Sequence, residues 1–268
     1  MCSITFECFW KAVKKWMNRK VIYTAIFGNY EGLLPQKELP EWDFVCFTDN
    51  PSLAANPWQV RLVDPPVGED YVRSNRYIKI NPHLFFPDYD ISIFIDGNIL
   101  VIGNLDKLVD EALTSHTMAC FDHEQAKMDS RGCIYEEYAF LKNLIENQGV
   151  FKDDPQVMKK HIDLLRAEGY PEHNGLIVGT VLVRKHHDSE LISVMEDWWQ
   201  MVKDYSRRDQ LSFNYVAWKH GFRYQTIPGD IRRGNGYFYM LGKHRKNWSA
   251  KLWRFRWKKR LGLVKIQD

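Results

Sequence analysis

Apolar residues along this chain gather in short unbroken runs, and stretches with helical spacing lie between them. Residues 21–27 (Val-Ile-Tyr-Thr-Ala-Ile-Phe) read as a buried strand ended by the turn residues Gly28 and Asn29. Residues 43–48 and 59–63 predict two more strands, with loops rich in Pro, Asn and Ser around them. A helix follows over 73–86, and then an apolar strand, 91–95, delivers the carboxylate of Asp96. A short strand at 99–102 precedes a helix through Leu105, Leu108, Val109 and Leu113, and residues 118–121 make the next strand. Asp153 or Asp154, followed by Pro155, starts a helix that Gly169 closes. A strand is expected at 175–183. Asp188 then caps a helix in which Leu191, Met195, Trp198 and Val202 recur at spacings of three and four, a core stripe. A helix at 210–218 and a strand at 222–227 complete the pattern, with no element assigned to 126–152 and no internal repeat. Strands alternating with helices predict an α/β layered fold in one main domain, 21–248.

The two ends differ from this body. Residues 1–20 carry an amphipathic helix with Phe6, Phe9, Trp10, Val13, Trp16 and Met17 on one face and Lys11, Lys14 and Lys15 on the other. Residues 249–268 form a basic aromatic tail in which Leu252, Trp253, Phe255, Trp257, Leu261 and Leu263 alternate with Lys and Arg. Net charge is only +3, yet ten Lys or Arg lie from Lys243 onward against the single acid Asp268. Basic ends on an acidic middle argue against a nucleic-acid-binding domain, whose cations would line the fold itself. No run approaches the roughly 18 apolar residues of a membrane span. The order of apolar and charged residues at the start is not that of a signal peptide. The five cysteines include no CxxC pair and no His/Cys spacing of the zinc-site kind. A cytoplasmic protein is expected, with its ends suited to peripheral contact with an anionic inner membrane surface.

The segment that carries most chemistry is Asp96-Gly97-Asn98, since ligands of open sheets gather at the carboxyl ends of strands. A carboxylate and an amide two positions apart can both face a hard divalent cation that bridges phosphates, and Gly97 permits close approach. Asp-Gly-Asn is equally good β-turn chemistry, and the residues alone leave both readings open. Arg73, Arg76 and Lys79 fall three apart on one helical face, which suits either phosphate contact or a solvated surface. Asp209 is a candidate catalytic carboxylate and also a competent helix N-cap.

The order of blocks at 22–34, 44–50, 73–101, 121–125 and 207–218 resembles a glycosyltransferase-like family of formerly unknown function with bacterial and plant members, related to glycogenin-like GT-A enzymes. The resemblance implies a GT-A-like domain with a Rossmann-like nucleotide-binding half and a mixed central sheet. It implies a nucleotide-sugar donor, a UDP-sugar first among these, with Mn2+ or Mg2+ held by a variant Asp-x-Asp motif at Asp96 and Asn98. Asn98 departs from the usual second carboxylate and removes one charge from the site. Residues 241–248 look like the His, Gly and Lys-x-Trp ending of glycogenin-like enzymes, which makes His244 the third metal ligand and Lys243 or Lys246 a partner of the diphosphate. The resemblance puts Thr24 and Tyr30 beside the base and Asp49 near the base or ribose. His123 and Glu124 then border the acceptor and donor sugar, Asn174 and Gly175 line the sugar pocket, and Asp209 and Gln210 point a carboxylate and an amide into it. His123, Asp209 and Gln210 are the candidate catalytic residues.

The implied reaction is glycosyl transfer to a glycan or lipid-linked acceptor in surface polysaccharide assembly, with retention favoured over inversion by the glycogenin-like features. Two alternatives stand beside it. A sugar nucleotidyltransferase would carry a glycine-rich basic loop after the first strand, which residues 24–32 lack. A carbohydrate-binding or scaffold protein that lost catalysis draws support from Asn98.

Overall fold

The computed structural model describes residues 19–264. The amphipathic stretch expected at 4–17 lies outside the described residues. Seven strands form one sheet in the order β3-β2-β1-β4-β7-β6-β8. They are β1 (Lys20–Ile26), β2 (Asp43–Thr48), β3 (Gln59–Leu62), β4 (Ile91–Ile95), β6 (Met118–Asp122), β7 (Ile177–Arg184) and β8 (Gln225–Ile227). All run parallel except β7, which pairs antiparallel with both β4 and β6. The expected mixed α/β sheet is therefore present. A second sheet of two antiparallel strands joins β5 (Ile99–Val101) to β9 (Phe238–Met240).

The unbroken apolar run of β1 is explained by burial on both faces, as in a sheet covered by helices on each side. Val21, Tyr23 and Ala25 face one core, and Ile22 and Ile26 face the other. The first core is closed by α1 (Tyr71–Ile80), α4 (Ile134–Gln148), α5 (Pro155–Ala167), α6 (Ser189–Asp204) and α7 (Phe213–His220). The second is closed by α3 (Leu105–Ala112), by Trp42 and Trp58 from the β1–β2 and β2–β3 connections, and by Phe238 of β9. The short α2 (Pro82–Phe85) follows α1, because Pro82 cannot continue a helix and divides the stretch expected at 73–86 in two.

Three elements were not apparent in the pattern of the sequence. Helix α4 buries Ile134, Tyr135, Glu137 and Leu141, so a charged residue interrupts its apolar stripe, and Cys133 at its N-cap makes no side-chain capping bond. Strand β9 has only three residues. Part of the tail at 249–268 is a helix, α8 (Ser249–Arg260), which packs Leu252 and Phe255 with Trp248, Leu34, Leu100 and Leu241 in a small third core. Among the described residues no helix is long and apolar enough to cross a membrane.

Candidate active site

Strands β1, β2, β4, β6 and β8 end at one edge of the sheet and antiparallel β7 begins there, so the loops that follow or precede them converge. Asp96 comes directly after β4, and its N–H donates to Thr180 O of β7 at 2.9 Å. Ile99 N then bonds Asp96 O at 2.9 Å, so Asp96-Gly97-Asn98 is a tight turn into β5 and also occupies the ligand edge. Asn98 is 5% exposed. Its Nδ2 donates to Gly242 O at 2.7 Å, while its Oδ1 is buried with no hydrogen-bond partner among the described residues. An orphaned amide oxygen costs about 1–3 kcal/mol, and a cation is one partner that removes that cost.

Residues 243–248 form a strap across the loop after β1. Gly32 N donates to Arg245 O at 3.0 Å, and Trp248 Nε1 donates to Gly32 O at 2.5 Å. A side chain on Gly32 would overlap Lys246 O, so only glycine allows this contact. The strap brings His244 Nδ1 to 2.8 Å from Glu31 Oε2 and sets its ring 5.2 Å from that of Tyr30. Glu31 was not singled out from the sequence. It is 4% exposed, and its carboxylate lies so close to Gly97 that a Cβ there would overlap Oε1. Burial pushes the Glu31 carboxyl above the usual carboxylate range. Burial opposes protonation of His244, but the hydrogen bond and charge of Glu31, with the charge of Asp96, outweigh it and raise the imidazole. Lys243 and Lys246 are exposed on the strap.

The row Arg73, Arg76 and Lys79 does not act as one phosphate-facing surface. Arg73 is used to fasten α1 to α6: Nε donates to Val202 O at 2.9 Å and Nη2 to Tyr205 O at 2.6 Å. Lys79 is 2% exposed and turns inward to an ion pair with Asp209, itself 3% exposed. Arg76 Nε lies 3.3 Å from the other Asp209 oxygen and its charge also acts on Tyr30 and His244, while Lys79 feels the charge of Asp96, so both lie near the Asp96 turn. Burial by itself would raise the Asp209 pKa, but Arg76 and Lys79 outweigh it and hold the carboxyl below the carboxylate range. Asp209 is therefore a buried counter-ion and occupies no N-cap position: Arg208 precedes the turn Asp209–Leu211 and Ser212 precedes α7. A Cβ on Gly179 would come within 2.7 Å of Lys79 Nζ, which places this cluster against β7, one residue from Thr180.

Thr24 lies inside β1, 1% exposed, where it pairs with Cys46 of β2, and its hydroxyl is buried with no hydrogen-bond partner among the described residues. Asp49 receives Gly28 N–H on both carboxylate oxygens at 3.1 Å, which fastens the β1 loop, while Tyr30 stands 65% exposed at the mouth. Gly28 has φ +60° and packs under Tyr71.

Directly after β6, His123 is 5% exposed and its Nε2 lies 2.7 Å from Arg131 Nη2. An arginine only donates, so that imidazole nitrogen accepts. Burial first, then the charges of Arg131 and Arg232, lower the His123 pKa and keep the ring neutral. Arg131 Nε continues to Glu137 at 2.6 Å, Glu137 meets Arg208 Nη2 at 3.3 Å, and Arg208 reaches Gln210 Oε1 at 3.3 Å. His123 and Gln210, remote in sequence, are thus ends of one polar chain, and the buried carboxylate at its centre belongs to α4. Gln210 Nε2 also donates to Ile177 O at the start of β7 at 2.8 Å. Glu124 is exposed beside His123. Gly175, with φ +81°, packs against the amide of Asn214, which also reaches Asn174 O at 3.4 Å.

Two other features lie apart from the Asp96 cluster. Cys133, Glu136 and His173, which no zinc-site spacing announced, have ligand atoms within 4.8 Å of one another. Glu136 already accepts from Gly132 N at 2.7 Å at the start of α4, and helix capping accounts for its position. A cleft of about 670 Å3 between residues 35–42, β5 and α8 includes Trp42, Asp106 and Phe255 but none of the candidate site residues.

This α/β domain thus carries a carboxylate, an amide and an imidazole at the sheet edge where ligands of open sheets gather, with cations beside them. Residues 48–227 match the model of the TOD1/MUCI70 glycosyltransferase-like domain, and the chain belongs to that family. The resemblance read from the sequence blocks is borne out by this match. Among solved structures, the chain is similar to the apo form of the bifunctional glycosyltransferase WbbM, at 14% identity and a TM-score of 0.47 over 90% of this chain and 44% of that one. It is also similar to apo mouse xyloside xylosyltransferase 1, at 11% identity and a TM-score of 0.42 over 90% or more of both chains, 94% of each. No curated protein matches the sequence.

Proposed function

We propose that this chain is a metal-dependent glycosyltransferase of GT-A type that takes its sugar from a nucleotide-sugar donor, a UDP-sugar first among these, and passes it to a glycan or lipid-linked acceptor. The observation that carries the proposal is the convergence of Asp96, the unpartnered Oδ1 of Asn98 and His244 at the carboxyl edge of the sheet. Oxygen donors with one imidazole suit Mn2+ or Mg2+, so the residues present fit the cation that the family resemblance implied. When bound there, that cation would neutralise charge on the departing diphosphate. Arg76, Lys243 and Lys246 would add positive charge around the same leaving group. Tyr30 at the mouth would cover the base, and Asp49 would hold the loop that carries it. His123, Glu124, Asn174, Gly175 and Gln210 would border the sugar and acceptor. Asp209 would keep Lys79 and Arg76 in place rather than touch the sugar. Retention remains favoured, since the only carboxylate of the Asp209-Gln210 pair is held ionised by two cations and is poorly suited to act as a base.

The exposed Trp253 and Trp257 of α8, with its Lys and Arg, support a cytoplasmic protein that rests on an anionic membrane surface during polysaccharide assembly.

The donor test is a calorimetric screen of UDP, GDP, CDP, ADP and their common sugars, with and without Mn2+, on wild type and Asp96→Ala. One nucleotide is expected to bind only with metal and to be lost in the variant. Failure of every nucleotide under every metal condition would remove the transferase reading and favour a carbohydrate-binding role.

A further inference from the structure

We infer that Glu31 is a positioning residue for the cation site, holding His244 in the orientation that leaves its Nε2 for ligation; the inference rests on the metal-dependent reading above. Glu31 is 4% exposed, and a carboxylate buried that far needs a strong partner. Its partner is His244, 213 positions further along the chain, at 2.8 Å through Nδ1. A carboxylate only accepts, so Nδ1 carries the proton and donates, and the unprotonated nitrogen of the neutral ring is Nε2. Imidazoles that bind metals commonly give their second N–H to a carboxylate, which fixes the tautomer and makes the ligating nitrogen more basic.

The same carboxylate touches the other half of the site. Gly97 separates Asp96 from Asn98, and a side chain there would overlap Glu31 Oε1. Glu31 therefore lies between the turn that presents Asp96 and Asn98 and the strap that presents His244. It also returns to the site a negative charge that Asn98 does not supply. A salt bridge that only fastened the strap would have no need to sit against Gly97, since Gly32 and Trp248 already fasten it.

The test is Mn2+ titration of the full chain in the presence of UDP, with free Mn2+ followed by electron paramagnetic resonance and the unfolding midpoint recorded for each variant. Glu31→Gln, which keeps the shape, is expected to weaken Mn2+ binding roughly ten- to a hundredfold. His244→Ala should weaken it comparably, and the double variant no further, because Glu31 acts through the imidazole. Gly97→Ala displaces the same carboxylate from the opposite side and should also weaken binding, which keeps the question open to answer if Glu31→Gln does not fold. Wild-type affinity in a folded Glu31→Gln, or losses that add in the double variant, would overturn the role of Glu31. In that case Mn2+ uptake abolished by Asp96→Ala would leave the metal reading standing. A wild-type chain that takes up no Mn2+ would overturn both.

Discussion

Asp209 shows how burial changes the meaning of a residue. As a carboxylate beside an amide it reads as a sugar-pocket group, yet it is 3% exposed and paired with Lys79 and Arg76. Removing one member of a buried ion pair leaves the other charge without compensation, which costs about 3–5 kcal/mol. Asp209→Asn is therefore expected to lower stability by that order in urea unfolding, well before any effect on donor binding is considered. A loss below about 0.5 kcal/mol, the range of ordinary surface substitutions, would mean that the cluster is not structural. Residue types at the site were legible: Asp96, Asn98 and His244 were all singled out, and the structure brings them to one edge. Glu31 lay within a block already noted for its strand and turn, but a glutamate in a loop gives no local sign that it will be buried against a histidine.

Among the elements, the strands with continuous apolar runs and the helices with Asp caps were legible, because those signals are local. Asp154 and Asp188 do accept from the first-turn N–H groups of α5 and α6. Helix α4 was not legible, since its N-cap is Cys133 and its buried face includes Glu137, whose charge is matched only by Arg131 and Arg208 from elsewhere. The basic tail is an element with two different faces. Leu252 and Phe255 are buried, whereas Trp253 and Trp257 are exposed with rings 5.8 Å apart. Lys258, Lys259 and Arg260 in the last turn also complement the helix dipole, so their charge has a local explanation as well. If the exposed pair meets a membrane, Trp253→Ala with Trp257→Ala should reduce binding to phosphatidylserine-containing vesicles at least about tenfold at an unchanged unfolding midpoint, given the apolar area removed. Equal vesicle binding by the wild type and the double variant would dismiss the attachment.

At the scale of the whole molecule, two buried histidines give stability a pH dependence. His161 is fully buried against Tyr205 with no hydrogen bond to either ring nitrogen among the described residues, and His186 is 1% exposed. Burial lowers both from 6.5 to about 4. Each is neutral when folded and takes up a proton at higher pH when unfolded. The contribution of these two histidines is thus constant above about pH 6.5, and stability falls as pH drops from there toward 4, by on the order of 3 kcal/mol for each. Urea unfolding at pH 7.5 and 4.5 reads this directly, and His161→Phe should flatten the slope; a slope unchanged by that variant would reject the assignment.

The sequence alone determined the layered α/β class, the strand that ends on Asp96, the helix caps and most residue types at the ligand edge. Each of these follows from periodicity, turn chemistry and capping within a few neighbouring positions. The tertiary structure decided that Lys79 turns inward, that α4 supplies the buried charge between His123 and Gln210, and that Glu31 meets His244. Those outcomes depend on which polar groups, distant along the chain, are taken out of water together, because a buried charge is tolerated only where the fold brings it a partner.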